Sequence, residues 1–209
     1  MPRESPRQGP PEHVDTSFPS FSAGPATWYR AHRVRADCLD GGCWFFASAP
    51  RIGDGGRFDL AVPHGTCYWA DSEIAAARER LGRPGDLVAH DEVAGIVVST
   101  AEVRPGYLAD LLAGDAARRG VCQELTTAAP YAISQQWAEA FHSCEFDGIR
   151  YRPRFSTEPA QAIALFGAAG AGTRGDAVVS HRPVAEVFRE CGYTVLDVPR
   201  ADQLSILPE

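Results

Sequence analysis

The amino-acid sequence predicts an α+β fold. Three observations support this. Strand-like segments are many and short, helical segments number about four, and the two kinds do not alternate as a doubly wound sheet requires. The chain has 209 residues and no internal repeat, which fits one domain with a core large enough to need no staples.

Taken in order, residues 1–25 hold six of the sixteen prolines, interspersed with Ser, Gly and charge. Such a segment is expected to be a poorly ordered arm, or one that packs only locally. Residues 26–209 form the single domain. Thr27 to Ala31 is aromatic and β-prone and reads as a strand. Glycine-rich loops at 39–43 and 52–56 flank the aromatic patch Trp44-Phe45-Phe46. Thr66 to Ala70 is a second strand. A helix follows, capped by Asp71 or Ser72, with Glu73 in its first turn, the stripe Ile74, Ala77, Leu81, and Gly82 as its stop. Ala94 to Val103 is β-branched and reads as a strand; Tyr107 to Leu112 reads as a short helix. Pro130 opens the clearest helix, to about Cys144, with Ile133, Trp137, Ala140 and Phe141 at helical spacing. Strand signals return at 148–151, 162–166 and 177–180. Pro183 begins a helix that Gly192 ends, and Tyr193 to Val198 is a last strand.

Composition narrows the function. There are 27 acidic and 20 basic residues, a net charge of -7. A broad basic face for nucleic acid is therefore disfavoured. All 20 basic residues are Arg. A Schiff-base lysine, a pyridoxal anchor and a P-loop lysine are excluded, so any anion must be held by Arg forks or backbone N–H groups. No apolar run approaches the roughly 20 residues of a membrane span. The N-terminus has no hydrophobic signal region, and the six scattered Cys read as reduced thiols of a cytoplasmic protein.

Few motifs stand out. Gly170 to Gly175 fits G-x-G-x-x-G, but a strand follows it where a dinucleotide fold needs a helix, so it reads as a hairpin or loop. Cys38 and Cys43 have no second ligand pair at zinc spacing. Gly56-Arg57-Phe58-Asp59 is either a turn with a surface Arg or a site where the backbone approaches a ligand closely. Glu79 points away from the helix's apolar stripe. It is either on a solvated face or, with the small neighbours Ser72, Ala75 and Ala76, beside an approaching ligand or strand. Tyr151-Arg152-Pro153-Arg154 is an anion clamp or an edge strand.

Taken together, several short segments resemble the RES family, whose members are mostly toxins of bacterial toxin–antitoxin pairs. In order they are Trp28-Tyr29-Arg30, Gly56-Arg57-Phe58-Asp59, Gly65-x-x-Tyr68-x-Ala70, Glu79, Tyr131-x-x-x-Gln135-x-x-Ala138, Asp147-Gly148-Ile149-x-Tyr151 and Ala164-Leu165-Phe166. The match spans roughly Thr27 to Val198.

The resemblance implies a fold like that of ADP-ribosyltransferase toxins, with residues 26–209 as the NAD-binding catalytic domain. It implies NAD+ as substrate rather than as a prosthetic cofactor, cleaved at the nicotinamide–ribose bond by phosphorolysis or hydrolysis, with inorganic phosphate as co-substrate in the first case. Glu79, Arg57 and Arg30 map to catalytic positions. Tyr68, Tyr29, Phe58, Gly56, Arg154 and Ser156 are the implied substrate contacts. The implied partner is an antitoxin on a separate chain, with no role for nucleic acid or membrane; a homo-oligomer is compatible. The family's Ser before an Arg is Pro153 here, with Ser156 out of register. Two alternatives stay open: transfer of ADP-ribose to a protein, which shares the NAD+ site and differs in acceptor, and a catalytically silent nucleotide-binding module, which Pro153 motivates.

Overall fold

The computed structural model describes residues 9–10, 14–38, 42–82, 85–156, 158–172 and 178–197. Fourteen strands and five α-helices follow one another along them. β1 (Ser20–Ala23), β2 (Ala26–Arg33), β3 (Phe45–Phe46), β4 (Ser48–Ala49), β5 (Leu60–Ala61) and β6 (His64–Ala70) precede α1 (Glu73–Leu81). Next are β7 (Leu87–Val88), α2 (His90–Val93), β8 (Ile96–Val103) and β9 (Gly106–Asp110). A 3-10 turn (Gly114–Arg119) leads to α3 (Glu124–Thr127), α4 (Ala132–Ser143), β10 (Gly148–Tyr151), β11 (Ala162–Ala168) and β12 (Gly170–Ala171). The described chain ends with β13 (Val178–Pro183), α5 (Val184–Glu190) and β14 (Thr194–Val195). This is the α+β class expected, and no described helix is long and apolar enough to cross a membrane.

Eight strands form one sheet in the order β1-β9-β10-β11-β6-β2-β8-β13. All neighbours are antiparallel except β9 and β10. Side chains alternate between its faces, as the two-residue strand period requires. Along β11, Ile163 and Leu165 join Trp28, Trp44, Cys67 and Trp69 on one face. Ala162, Ala164 and Phe166 join Trp137 and Phe141 of α4 on the other. A third cluster lies between α1, α5 and β8, with Ala77, Val98, Val184 and Phe188 fully buried.

The sheet parts in the middle. β2 pairs with β8 over its whole length, from Ala26 opposite Val103 to Arg33 opposite Ile96. With β6 it pairs only through Tyr29 opposite Ala70. The side chain of Arg30 bridges this gap. Its Nη1 donates to Cys67 Sγ (2.8 Å) and the Tyr68 carbonyl (3.3 Å), and its Nη2 donates to the Phe45 carbonyl (2.9 Å). α1 spans β2 and β6 on one side of the opening, held at its start by Ser72, whose hydroxyl accepts the Ala75 N–H.

Several expectations are met closely: α1 begins after Ser72 and ends at Gly82, and α4 lies within 130–144. Three differ. Tyr107 to Leu112 is a strand through Asp110, not a helix. Gly106 (φ +83°) turns the chain there, and β1 and β10 supply ladder partners on both sides, which outweigh a weak local preference. Part of the proline-rich arm is also integral. β1 extends the sheet edge, and Phe18, 4% exposed, sits in the core against Phe141 at 4.7 Å. One aromatic side chain inserted in a core outweighs the low hydrophobicity around it. The last strand covers only 194–195. Of the G-x-G-x-x-G segment, Gly170 and Ala171 pair with β3, and residues 173–175 lie outside the described residues.

Phe18→Ala removes a buried aromatic ring and is expected to cost about 3 to 5 kcal/mol. Chemical denaturation checks this; a change below about 1 kcal/mol, the range of surface substitutions, would return residue 18 to a loose arm.

Candidate functional site

Where β2 and β6 part, a cavity of about 550 Å³ opens beneath α1, within the range of small-molecule sites. Its walls come from β2, β6, α1, the 55–57 loop, Tyr131, Tyr151 and Phe155.

The loop before β5 is shaped by one buried carboxylate. Asp59, 3% exposed, accepts the Gly56 N–H at 2.6 Å and the Tyr68 hydroxyl at 2.7 Å. The same hydroxyl accepts the Phe58 N–H at 2.9 Å. A Cβ on Gly56 would lie 2.7 Å from Asp59 Oδ1 and 2.9 Å from the Tyr68 hydroxyl, so only glycine fits. Gln135 on α4 holds the loop from the other side: its amide accepts the Gly53 N–H and donates to the carbonyls of Asp54 and Gly56. Burial pushes the Asp59 carboxyl up, opposed by the Tyr68 hydroxyl, the Gly56 N–H and the Arg30 charge. Burial, then the charge of Asp59, pushes the Tyr68 hydroxyl well above its ordinary range.

This clamp sets Arg57 into the cavity wall. Arg57 is 8% exposed as a residue, and its guanidinium donates to the Ala128 carbonyl at 3.0 Å and stacks 4.7 Å above the Tyr131 ring. Among the described residues no carboxylate lies within 4.0 Å of it. Burial lowers its proton affinity, opposed first by Tyr131 and Tyr151 and then by Glu79, yet an Arg remains charged.

Glu79 reaches the cavity from α1. Its turn of helix is lined by Ala75, Ala76 and Ala77, all buried, which lets the helix approach the sheet closely. Glu79 Oε1 accepts the Phe155 N–H at 2.8 Å. Burial pushes its carboxyl up from the ordinary range; the Phe155 N–H, the Arg57 charge, and the N–H and charge of Arg154 pull the other way. The result is a half-buried carboxylate facing a buried, unpaired guanidinium across a cavity. Such a pair can stabilise positive charge developing on a bound molecule while holding an anionic group nearby.

The structure thus brings Arg30, Arg57, Glu79, Tyr29, Tyr68 and Gly56 to one cavity. Phe58 lies beneath it instead, fully buried in the core with its ring edge-on to Tyr151 at 5.0 Å. Arg154 is exposed and lies over the Phe155 ring. Ser156 is outside the cavity lining, its Oγ buried and without a partner. Pro153 is buried. The sequence reading had assigned no role to Asp59, Gln135, Tyr131, Tyr151, Phe155, Arg33 or Arg80. Asp59, Gln135, Tyr131 and Tyr151 stood inside motifs already singled out. Arg33 and Arg80 carried no signal, because an Arg at a strand end or on a helix reads as a solvated residue.

A family model described as the RES domain matches residues 24–185, more than three-quarters of the chain. The chain belongs to the RES domain family. Its fold is similar to that of a chain in the crystal structure of the M. tuberculosis MbcT–MbcA toxin–antitoxin complex. The TM-score is 0.59 at 16% identity, over 83% of this chain and 91% of that one. Comparison with curated proteins gives no significant match.

Two outcomes are expected of this RES domain. In Tyr68→Phe the ring stays but Asp59 Oδ1 and the Phe58 N–H lose their partner, a loss of about 1 to 3 kcal/mol by chemical denaturation. The second concerns Glu79, whose raised pKa means the folded state binds its proton at higher pH than the unfolded state does. Its contribution to stability is therefore present below about pH 4.3, the ordinary glutamate value, and is lost as pH rises through the raised value. Glu79→Gln should consequently melt above the parent at pH 7, with that advantage disappearing near pH 4. A lower melting temperature at pH 7 would contradict the burial argument.

Proposed function

We propose that this RES domain cleaves the nicotinamide–ribose bond of NAD+. The observation that carries the reading is the half-buried Glu79 carboxylate opposite Arg57 in a cavity that contains no Lys and whose lining His, His32, is hydrogen-bonded to Ser99. Breaking this N-glycosidic bond leaves its electron pair on nicotinamide, which departs neutral. Positive charge builds on the ribose at C1′, as in glycoside hydrolysis. A carboxylate beside the ribose stabilises that charge, and no strong general acid is needed. Water or inorganic phosphate then adds through oxygen to C1′. Water loses a proton in doing so, whereas phosphate gives ADP-ribose-1″-phosphate.

The remaining residues have roles consistent with this. Arg57 faces the Glu79 side of the cavity and is placed to hold an anion there. Arg30 commits three of its five donors to neutral acceptors; its Nε is buried without a partner, which leaves one Nη2 donor for a ligand. Tyr68 offers its ring face, its hydroxyl being occupied by Asp59 and Phe58. Pro153 supplies neither hydroxyl nor N–H, but the following backbone still binds Glu79 through the Phe155 N–H. This supports an active enzyme over a silent module. The fold it shares with a chain of a toxin–antitoxin complex supports a toxin role with a separate antitoxin chain as partner. Both remain part of this proposal, as does phosphorolysis ahead of hydrolysis.

The test is incubation of the protein with NAD+, with and without phosphate, and chromatography of the products. Nicotinamide release that Glu79→Gln reduces at least about 100-fold is expected. Dependence on phosphate identifies a phosphorylase, and independence a hydrolase. Radiolabel from NAD+ on a protein band would redirect the reading to ADP-ribose transfer. No release and no labelling would sink it.

A further inference from the structure

We propose that the cleft contains a second anion subsite, formed by Arg33 at the end of β2 and Arg80 on α1 with Arg30 beside them, which takes a phosphoryl group remote from the bond at Glu79. This builds on the nucleotide reading above and assigns the part of the substrate that does not react.

Of the five arginines lining the cavity, Arg35 is paired with Asp37 at 2.8 Å and lies over the Phe45 ring, and the other four fall into two groups. Arg57 interacts with Glu79, Tyr131 and Tyr151. Arg30, Arg33 and Arg80 gather on the other side, close enough for Arg33 and Arg30 each to disfavour the charge on Arg80 after burial has done so. None of the three has a carboxylate within 4.0 Å among the described residues. Arg33 donates only to the Ala94 carbonyl at 3.2 Å, and Arg30 bonds only neutral acceptors. Partly buried arginines elsewhere among the described residues are paired, Arg78 with Glu158 at 2.6 Å, Arg150 with Asp110 at 2.9 Å and Arg182 with Glu190 at 2.6 Å, whereas Arg51, Arg104, Arg119, Arg152 and Arg154 have no ion pair there. With 27 acidic residues in the chain, carboxylates are not scarce. Three guanidinium groups lining one cavity, with no carboxylate within 4.0 Å among the described residues, repel each other, and a bound anion removes that repulsion.

The class of anion follows from the charge and geometry. Three cations suit a group of two or more negative charges, and Arg forks match phosphoryl oxygens bidentately. In an acidic protein such a patch also concentrates a negatively charged ligand at the mouth of the cleft. Two nucleotide groups have this chemistry: the diphosphate bridge, and a phosphate on the adenosine ribose.

Calorimetric binding of ADP and of adenosine 2′-monophosphate to the full chain tests the subsite without requiring turnover. Arg33 and Arg80 are exposed, so their substitution should spare the fold, which thermal melting verifies. Arg80→Gln and Arg33→Gln should each weaken ADP binding at least about tenfold. Arg80→Lys should recover part of the loss, because it keeps the charge without the fork. Arg118→Gln, on a side chain 83% exposed outside the cavity lining, should change nothing. Loss confined to adenosine 2′-monophosphate would assign the subsite to a ribose phosphate instead of the diphosphate. Unchanged affinity for both nucleotides, or no binding of either by the parent protein, would overturn the inference. If ADP binding weakens as described and no nicotinamide is ever released, the subsite stands and the reaction falls.

Discussion

Arg30 spans the point where the sheet comes apart. Beyond Tyr29 and Ala70, strands β2 and β6 have no further ladder pairs, so the peptide groups along the opening need other partners. One guanidinium supplies three donors across the gap, to a thiol and two carbonyls. A lysine has the charge but lacks the rigid planar fork that reaches three acceptors from one position. The opening that Arg30 holds is the cavity itself, and Tyr29, Tyr68, Arg57 and Glu79 reach it from β2, β6, the 55–57 loop and α1. Closing the gap with an unbroken ladder would make a better sheet and leave no site.

A second constraint acts on the loop opposite. Asp59 is buried with its hydrogen bonds directed at Gly56 and Tyr68, and Gln135 grips the same loop from α4. The loop is thus tied to β6 and to a helix about 80 residues later in the chain. Its rigidity allows Arg57 to remain buried with only a carbonyl and an aromatic face for company. A buried cation with no carboxylate within 4.0 Å among the described residues and a buried carboxylate with a raised pKa both oppose stability, as preorganised sites commonly do. The cores on both faces of the sheet carry that cost. The charge balance matters in the same way: the chain is acidic as a whole, while its cleft is lined by arginines, and an average over the sequence hides that contrast.

Much of this was legible in the residue pattern. Ser72, the alanines and Gly82 mark α1 from cap to stop, and with them the side from which Glu79 projects. A short β-prone segment marks β6, a β-branched run marks β8 and an apolar strand signal marks β11. The spacing of short motifs from Trp28 to Phe166 pointed to the family that the RES domain match then established. Other features were not legible. Phe58, implied as a substrate contact by the resemblance, is instead fully buried in the core, where its ring packs edge-on against Tyr151. Tyr107 to Asp110 became a strand because neighbours on both sides of it offered hydrogen bonds, and Phe18 left the arm because a pocket among Trp137, Phe141 and Phe146 was there to receive it.

The sequence by itself determined the α+β class, the limits of the main helices and the all-arginine chemistry, whereas the short list of Arg30, Arg57, Tyr68 and Glu79 was implied by its resemblance to the RES family. The first three depend on local periodicity, capping and side-chain type, which are properties of neighbouring residues. Tertiary structure alone decided where the sheet opens and that Asp59 and Gln135 hold the loop. It also gathered Arg30, Arg33 and Arg80 at one cavity, with no carboxylate within 4.0 Å among the described residues, and raised the Glu79 carboxyl by burial. Each of these depends on the distance between groups far apart in the chain and on the solvent excluded between them, and neither quantity exists until the chain has folded.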